Sequence, residues 1–167
     1  LDYHKNLENY YKAKKRLFSE ILAIKGIAIV NNHCNYGKRI ESFCKRKKIK
    51  VITYGSKKSN WKINNVNRYK SYSEVSISVF EKPYIFKCKL FTYYQIENLV
   101  CSMLIANSYK ISLNKIIKWV EKINEPPGRL EKIIFKNAKS TIYIDYAHTP
   151  DALKINLIQL RETLKER

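Results

Sequence analysis

The feature that most narrows the fold is the run Ile142-Tyr143-Ile144-Asp145-Tyr146-Ala147-His148-Thr149-Pro150-Asp151-Ala152-Leu153, where a strand pattern passes directly into a helix start. The first residues alternate as in a strand with one or both faces buried. Thr149 can cap a helix. Pro150 suits the first helical position, where its missing N–H has no partner to lose, and Asp151 suits the positive helix end. Asp145 and His148 therefore fall on a strand-to-helix connection at the carboxyl end of a strand. In an open α/β sheet that is where ligands bind. On spacing alone, an ordinary connection with two exposed polar residues is the simpler account.

The rest of the chain carries the same alternation of elements. A helix is predicted over residues 6–23, with Leu7, Tyr11, Lys14, Phe18 and Ile21 at helical intervals along one apolar stripe. Lys14 is the odd member. Either its stem covers apolar surface while the ammonium reaches water, or it is a partly desolvated amine able to attack a small electrophile; the first is the commoner case. A short strand over 26–30, a loop through Asn31-Asn32-His33-Cys34-Asn35-Tyr36-Gly37, a helix over 38–47 and a strand over 49–54 form a βαβ unit, expected to be parallel. Residues 60–90 change to short alternating runs such as Val75, Ile77 and Val79 between serines, the pattern of an antiparallel meander at a sheet edge. Helices are expected over 95–106 and from a Ser112 cap to 122. Pro126-Pro127-Gly128 then breaks the chain, dividing it into domains 1–125 and 126–167. Beyond the break come strands over 130–135 and 141–145 and a helix over 150–165.

Composition excludes less than it first suggests. The net charge of +19 invites a nucleic-acid partner, but the lysines are spread along the chain, and abundant Lys, Asn, Ile and Tyr with scarce Gly and Pro fit an AT-rich coding sequence. The run Lys45-Arg46-Lys47-Lys48 reads equally as the end of a helix, where the dipole favours cations. Cys34, Cys44, Cys88 and Cys101 are scattered, which fits free thiols in a reducing compartment better than a disulfide framework or a zinc site. No apolar run is long enough to span a bilayer. The expectation is a soluble, cytoplasmic chain without a membrane or nucleic-acid partner, starting at Leu1 without a leader and forming an internal piece of a longer protein.

Four landmarks now fall in order. Leu1-Asp2-Tyr3-His4, then Tyr10, Ala13-Lys14 and Arg16-Leu17-Phe18, then Gly128-Arg129-Leu130-Glu131, and finally Asp145 through Leu153 together resemble the L-D-Y-H…Y…A-K…L-F, G-R-M-E and D-Y-A-H-T-P-D-A-L motifs of the Mur ligases. The first and last point to the tripeptide-synthetase (MurE) type. The resemblance implies an α/β fold: the later part of a P-loop-type central domain with a mixed sheet, followed by the start of a Rossmann-like C-terminal domain. It implies an ATP-dependent ligation in peptidoglycan synthesis. The carboxylate of UDP-MurNAc-L-Ala-D-Glu attacks the γ-phosphate of ATP, and the amine of meso-diaminopimelate or L-lysine displaces phosphate from the acyl phosphate.

The same resemblance assigns residues. Lys14 aligns with a lysine that is carbamylated and so becomes an oxygen ligand for magnesium. Asp145 aligns with the carboxylate on the ribose hydroxyls of ATP, Asn98 with an amide near the adenine, and Arg129 with a cation near the phosphates. Tyr146 and His148 line the same pocket, His148 with Lys14 and Arg129 on the catalytic side. The partners implied are the UDP-linked dipeptide and the amino acid, in a monomeric enzyme.

Some positions depart from the pattern. Where the family has Asn-x-Asp-Asp, this chain has Asn31-Asn32-His33-Cys34; Lys5 stands where a glycine is expected, and Gln95 where an asparagine is. Gly26, Gly37, Gly55 and Gly128 are isolated, so no G-x-x-x-x-G-K-[ST] run is present. Without that phosphate cradle, the chain alone is expected not to bind ATP productively. An inactive or split-gene remnant of such a ligase stays open beside the active segment, with a basic nucleic-acid-binding module third.

Overall fold

The computed structural model describes residues 4–69, 71–134 and 141–165, so Leu1, Asp2 and Tyr3 of the first motif and Phe135 of an expected strand lie outside it. Helix α1 (Leu7–Arg16) begins at Asn6, whose side-chain oxygen accepts the Asn9 N–H at 2.8 Å. That bond satisfies one of the donors a first turn leaves unpaired. The expected helix does not continue as one piece, because Leu17–Ile21 form a π-helical turn and Leu22 is already extended. A π turn winds more residues per turn and rotates the apolar stripe. Phe18 and Leu22 consequently pack on a small core of Ala28, Val30 and Cys44, whereas Leu17 and Ile21 face solvent. The placement of Ile21 in the buried stripe is thereby corrected.

Strand β1 (Ile27–Asn31), helix α2 (Asn35–Arg46) and strand β2 (Lys50–Tyr54) form the expected βαβ unit, with the strands parallel from Ile27↔Lys50 to Asn31↔Tyr54. Asn35, Tyr36 and Gly37, expected in a loop, are instead the first turn of α2. Gly37 is required there by close approach, since a Cβ would collide with the Asn31 carbonyl.

Strand β3 (Trp61–Arg68) joins β2 in parallel through Tyr54↔Trp61, and β4 (Ser73–Val79) and β5 (Lys82–Cys88) follow as an antiparallel meander. The sheet order is β1-β2-β3-β4-β5. The meander forms one edge of the sheet, as expected, and also holds much of the main core. Ser73, Val75, Ile77 and Val79 point inward while the residues between them are half-buried, and Trp61, Phe86, Ile96, Met103 and Leu104 complete the cluster. Each such apolar side chain contributes roughly 1.5–3 kcal/mol on burial.

Helices α3 (Tyr93–Ser108) and α4 (Leu113–Val120) supply the helical part of that cluster. The α3 N-terminus is closed by a reciprocal capping box between Thr92 and Gln95. Ser112 occupies the α4 cap position but its side chain makes no capping hydrogen bond.

After the Pro126-Pro127-Gly128 break, β6 (Arg129–Ile134) and β7 (Thr141–Asp145) pair antiparallel in a separate sheet, and α5 (Pro150–Lys165) follows. Among the described residues, the strand ending at Asp145 pairs antiparallel with β6, and its carboxyl end leads into α5 as expected. No helix among them is long and apolar enough to cross a membrane.

Candidate functional site

The turn from the chain break into the hairpin is held by polar ties. Gly128 adopts a φ of 64°, in the left-handed region that glycine enters without penalty. Its N–H donates to Glu131 Oε2 at 2.9 Å, and its carbonyl accepts the Tyr146 N–H at 3.0 Å. Leu130 also has positive φ, 53°, and sits at the register shift between Arg129 and Glu131. An L residue there costs about 1–2 kcal/mol, yet Leu130 is buried and the bulge turns its N–H onto Asp145 Oδ2 at 2.8 Å.

Asp145 is the centre of this region. Besides Leu130, its Oδ1 accepts the Ala147 N–H at 2.7 Å and the Asn156 side-chain amide at 2.8 Å. One carboxylate therefore joins the β6 bulge, the loop after β7 and helix α5. Thr149 caps α5 as expected, its hydroxyl accepting the Ala152 N–H at 3.3 Å. His148 Nδ1 lies 3.0 Å from the Tyr146 carbonyl, and its ring meets the Tyr146 ring edge-on at 5.0 Å. The Arg129 guanidinium lies 5.8 Å from the centre of the Tyr146 ring, within cation–π reach.

Two adjoining cavities run from the hairpin to α3. The first, about 230 Å³, is lined by Tyr94, Arg129, Asp145, Tyr146, His148 and Asn156 among others. The second, about 360 Å³, is lined by Tyr94, Gln95, Asn98, Pro126 and Arg129 with Leu90 and Leu99. Tyr94 and Arg129 border both, so the two lie side by side as a two-part cleft between α3 and the hairpin. Gln95 fixes the junction: Nε2 donates to the Arg129 carbonyl at 2.7 Å, while Oε1 accepts from the Thr92 N–H at 3.1 Å and the Thr92 hydroxyl at 3.0 Å. The residue expected as a departure thus ties α3 to the hairpin.

The structure brings Asn98, Arg129, Asp145, Tyr146 and His148 to this cleft and leaves Lys14 away from it. Lys14 is exposed, with its ammonium 5.2 Å from the centre of the Tyr10 ring. Helix α1 leaves Leu7 uncovered and buries only Tyr11 of its stripe, so in this chain the ammonium reaches water, the commoner of the two settings considered for it. Among the described residues no cluster of three or more His, Cys, Asp or Glu side chains could hold a metal ion.

The Asn31–Cys34 corner is occupied with its own bonding. Asn32 is buried, donating to Glu41 Oε2 at 3.0 Å and accepting from the Ser59 hydroxyl at 2.6 Å. Asn31 Oδ1 accepts the His33 N–H at 2.9 Å. Near this corner lies Glu97, which sequence reasoning passed over. Burial pushes its carboxyl up, while His33 and the Asn31 amide pull it down, and Oε1 has no hydrogen-bond partner. Asn156 and Tyr94 were likewise missed, and no sequence signal marks them, since both matter only through neighbours distant in the chain.

Residues 1–106 match the sequence profile of the Mur ligase middle domain. The UDP-N-acetylmuramoyl-L-alanyl-D-glutamate--2,6-diaminopimelate ligase of Rickettsia bellii is 33% identical over 161 residues, covering 96% of this chain and 33% of that protein. The UDP-N-acetylmuramyl-tripeptide synthetase 2 of Oceanobacillus iheyensis is 34% identical, over 92% of this chain and 31% of that one. Among solved structures, the Thermotoga maritima MurF ligase in complex with ADP superposes with a TM-score of 0.78 at 15% identity, over 95% of this chain and 35% of that one. The chain spans about a third of the length of the curated relatives it matches.

Proposed function

The chain belongs to the Mur ligase family, and on that footing we propose that it forms part of an ATP-dependent ligase that adds the third amino acid, meso-diaminopimelate or L-lysine, to UDP-MurNAc-L-Ala-D-Glu in cytoplasmic peptidoglycan synthesis. The observation that carries this reading is the cleft itself, where Asn98 from before the break meets Arg129, Asp145, Tyr146 and His148 from after it. In this reading residues 1–125 belong to the central domain and residues 126–167 open the C-terminal one. The partners are the two substrates, with no nucleic acid or membrane, in a monomeric enzyme.

Each residue has work suited to its chemistry. The Asn98 amide can both donate to and accept from an adenine edge. Asp145 accepts from the ribose, and the planar guanidinium of Arg129 suits the phosphates. Tyr146 and His148 form the wall between them. Among the described residues no cluster of three or more His, Cys, Asp or Glu side chains is assembled for magnesium, and Lys14 stands away from the cleft. Lys14 as a carbamylated ligand rests on the family motif alone. The chain also contains no phosphate-cradling loop, so acyl-phosphate formation requires a loop supplied from beyond residues 1–167.

A chimera tests this. The matching third of the Rickettsia bellii relative is replaced by residues 1–167, and phosphate release is followed with ATP, the UDP-linked dipeptide and diaminopimelate or lysine. Turnover that disappears on Asp145→Ala or Lys14→Ala supports the proposal. A folded chimera without turnover overturns it. A thermal shift of the chain alone by Mg-ATP as large as that of the complete relative overturns the need for an added loop.

A further inference from the structure

We propose that Asn156 sets how many ribose hydroxyls this cleft can hold: by filling one acceptor position of Asp145, it leaves that carboxylate able to take a single further hydrogen bond, through Oδ2. The inference rests on the nucleotide reading above and deepens it.

An ionised carboxylate offers about four lone-pair positions, two on each oxygen. At Asp145, Oδ1 already accepts from the Ala147 N–H at 2.7 Å and from Asn156 at 2.8 Å, so its capacity is used. Oδ2 accepts from the Leu130 N–H at 2.8 Å and keeps one position. The side chain cannot turn to free Oδ1, because two of the three donors are backbone groups fixed by the Leu130 bulge and by the loop leading to α5. Asn156 is the one side-chain donor of the set. It sits on α5 and is only 8% exposed, so its amide is held by packing.

A ribose presents two neighbouring hydroxyls. A carboxylate with both oxygens open can accept from the pair at once, as charge-assisted bidentate contacts do. In this chain only one hydroxyl finds an acceptor on Asp145, and the other is left to water. Asn156 is thus a positioning residue that decides selectivity at the sugar, and it acts through Asp145 without touching the nucleoside.

The test uses the full chain, ¹⁵N-labelled, titrated with adenosine, 2′-deoxyadenosine and 3′-deoxyadenosine at millimolar concentration, so that no phosphate cradle is needed. The amide signals of Leu130 and Ala147 report on both Asp145 oxygens. One deoxynucleoside is expected to bind within about twofold of adenosine and the other about tenfold or more weaker, the scale of one hydrogen bond to a charged group. In Asn156→Ala the freed Oδ1 position engages the second hydroxyl, so both deoxynucleosides become weaker than adenosine. Two equally weakened analogues in the unaltered chain, or two that match adenosine, overturn the inference while leaving nucleotide binding in place. Adenosine that moves neither signal overturns the nucleotide reading and this inference with it. If Asn156→Ala loses its fold, the comparison of the three nucleosides on the unaltered chain decides by itself.

Discussion

In the five-stranded region, Trp61, Ile77, Phe86 and Ile96 are each no more than 1% exposed, whereas in the hairpin and α5, Ile142, Ile144, Leu153 and Leu157 are between 44% and 58% exposed. The first region is stabilised as protein interiors usually are, by apolar surface removed from water between a sheet face and the helices α3 and α4. The second is organised by a small set of polar ties gathered on Asp145, with Gly128, Glu131 and Asn156 completing it. The contrast explains the cleft. A well-packed sheet with α3 presents a fixed wall carrying Asn98, and a lightly packed hairpin presents a second wall whose shape depends on one carboxylate.

Matched truncations should expose that contrast most sharply. Phe86→Ala is expected to cost about 3–5 kcal/mol, because the cavity left in a closed core cannot collapse. Ile144→Ala, the same kind of change on an exposed strand face, should stay within about 0.5 kcal/mol. Urea denaturation midpoints measure both; equal costs would erase the distinction between the regions.

Asp145→Ala comes next. It leaves the Leu130 and Ala147 N–H groups and the Asn156 amide without their acceptor and removes what offsets the Leu130 backbone strain. A loss of about 2–4 kcal/mol is expected, local to residues 128–165. Amide hydrogen exchange should rise there and remain unchanged in β3 to β5. A uniform rise would show that Asp145 supports the whole chain.

The smallest effect belongs to Glu97, on the sheet side of the cleft. Burial raises its carboxyl above the unfolded value, so the folded chain holds that proton to higher pH than the unfolded chain does. The stability this gives is complete below the unfolded carboxylate range and is lost as pH rises through the folded value. Glu97→Gln should therefore match the unaltered chain below about pH 4 and exceed it near pH 7, by less than about 1 kcal/mol. Denaturation midpoints at the two pH values check this, and a variant less stable at neutral pH would contradict it.

The sequence announced what local pattern controls. Alternation in Val75, Ile77 and Val79, the parallel unit around α2 and the Thr149 cap all reappear in the structure. The failures lie where neighbours distant in the chain decide. The π turn after Arg16 redirects a stripe that helical spacing alone had placed inward, so Ile21 is exposed. The antiparallel pairing that ends at Asp145 could not be told from a parallel strand by its own residues. The cleft was legible in its motifs, Asn98, Arg129, Asp145, Tyr146 and His148, but not in its supports. Gln95 and Asn156 act on residues 34 and 11 positions away, through bonds that only folding creates.

The most direct test of a cleft shared by the two regions is hydrogen exchange of residues 1–167 within the Rickettsia bellii chimera, which supplies the phosphate-cradling loop, read by mass spectrometry with and without saturating ATP. Protection is expected in two separate segments at once, around Tyr94 to Ser102 on α3 and from Gly128 to His148 around the hairpin. Protection in only one of them, or slowed exchange at the α1–α2 face with none in the cleft, would contradict the account.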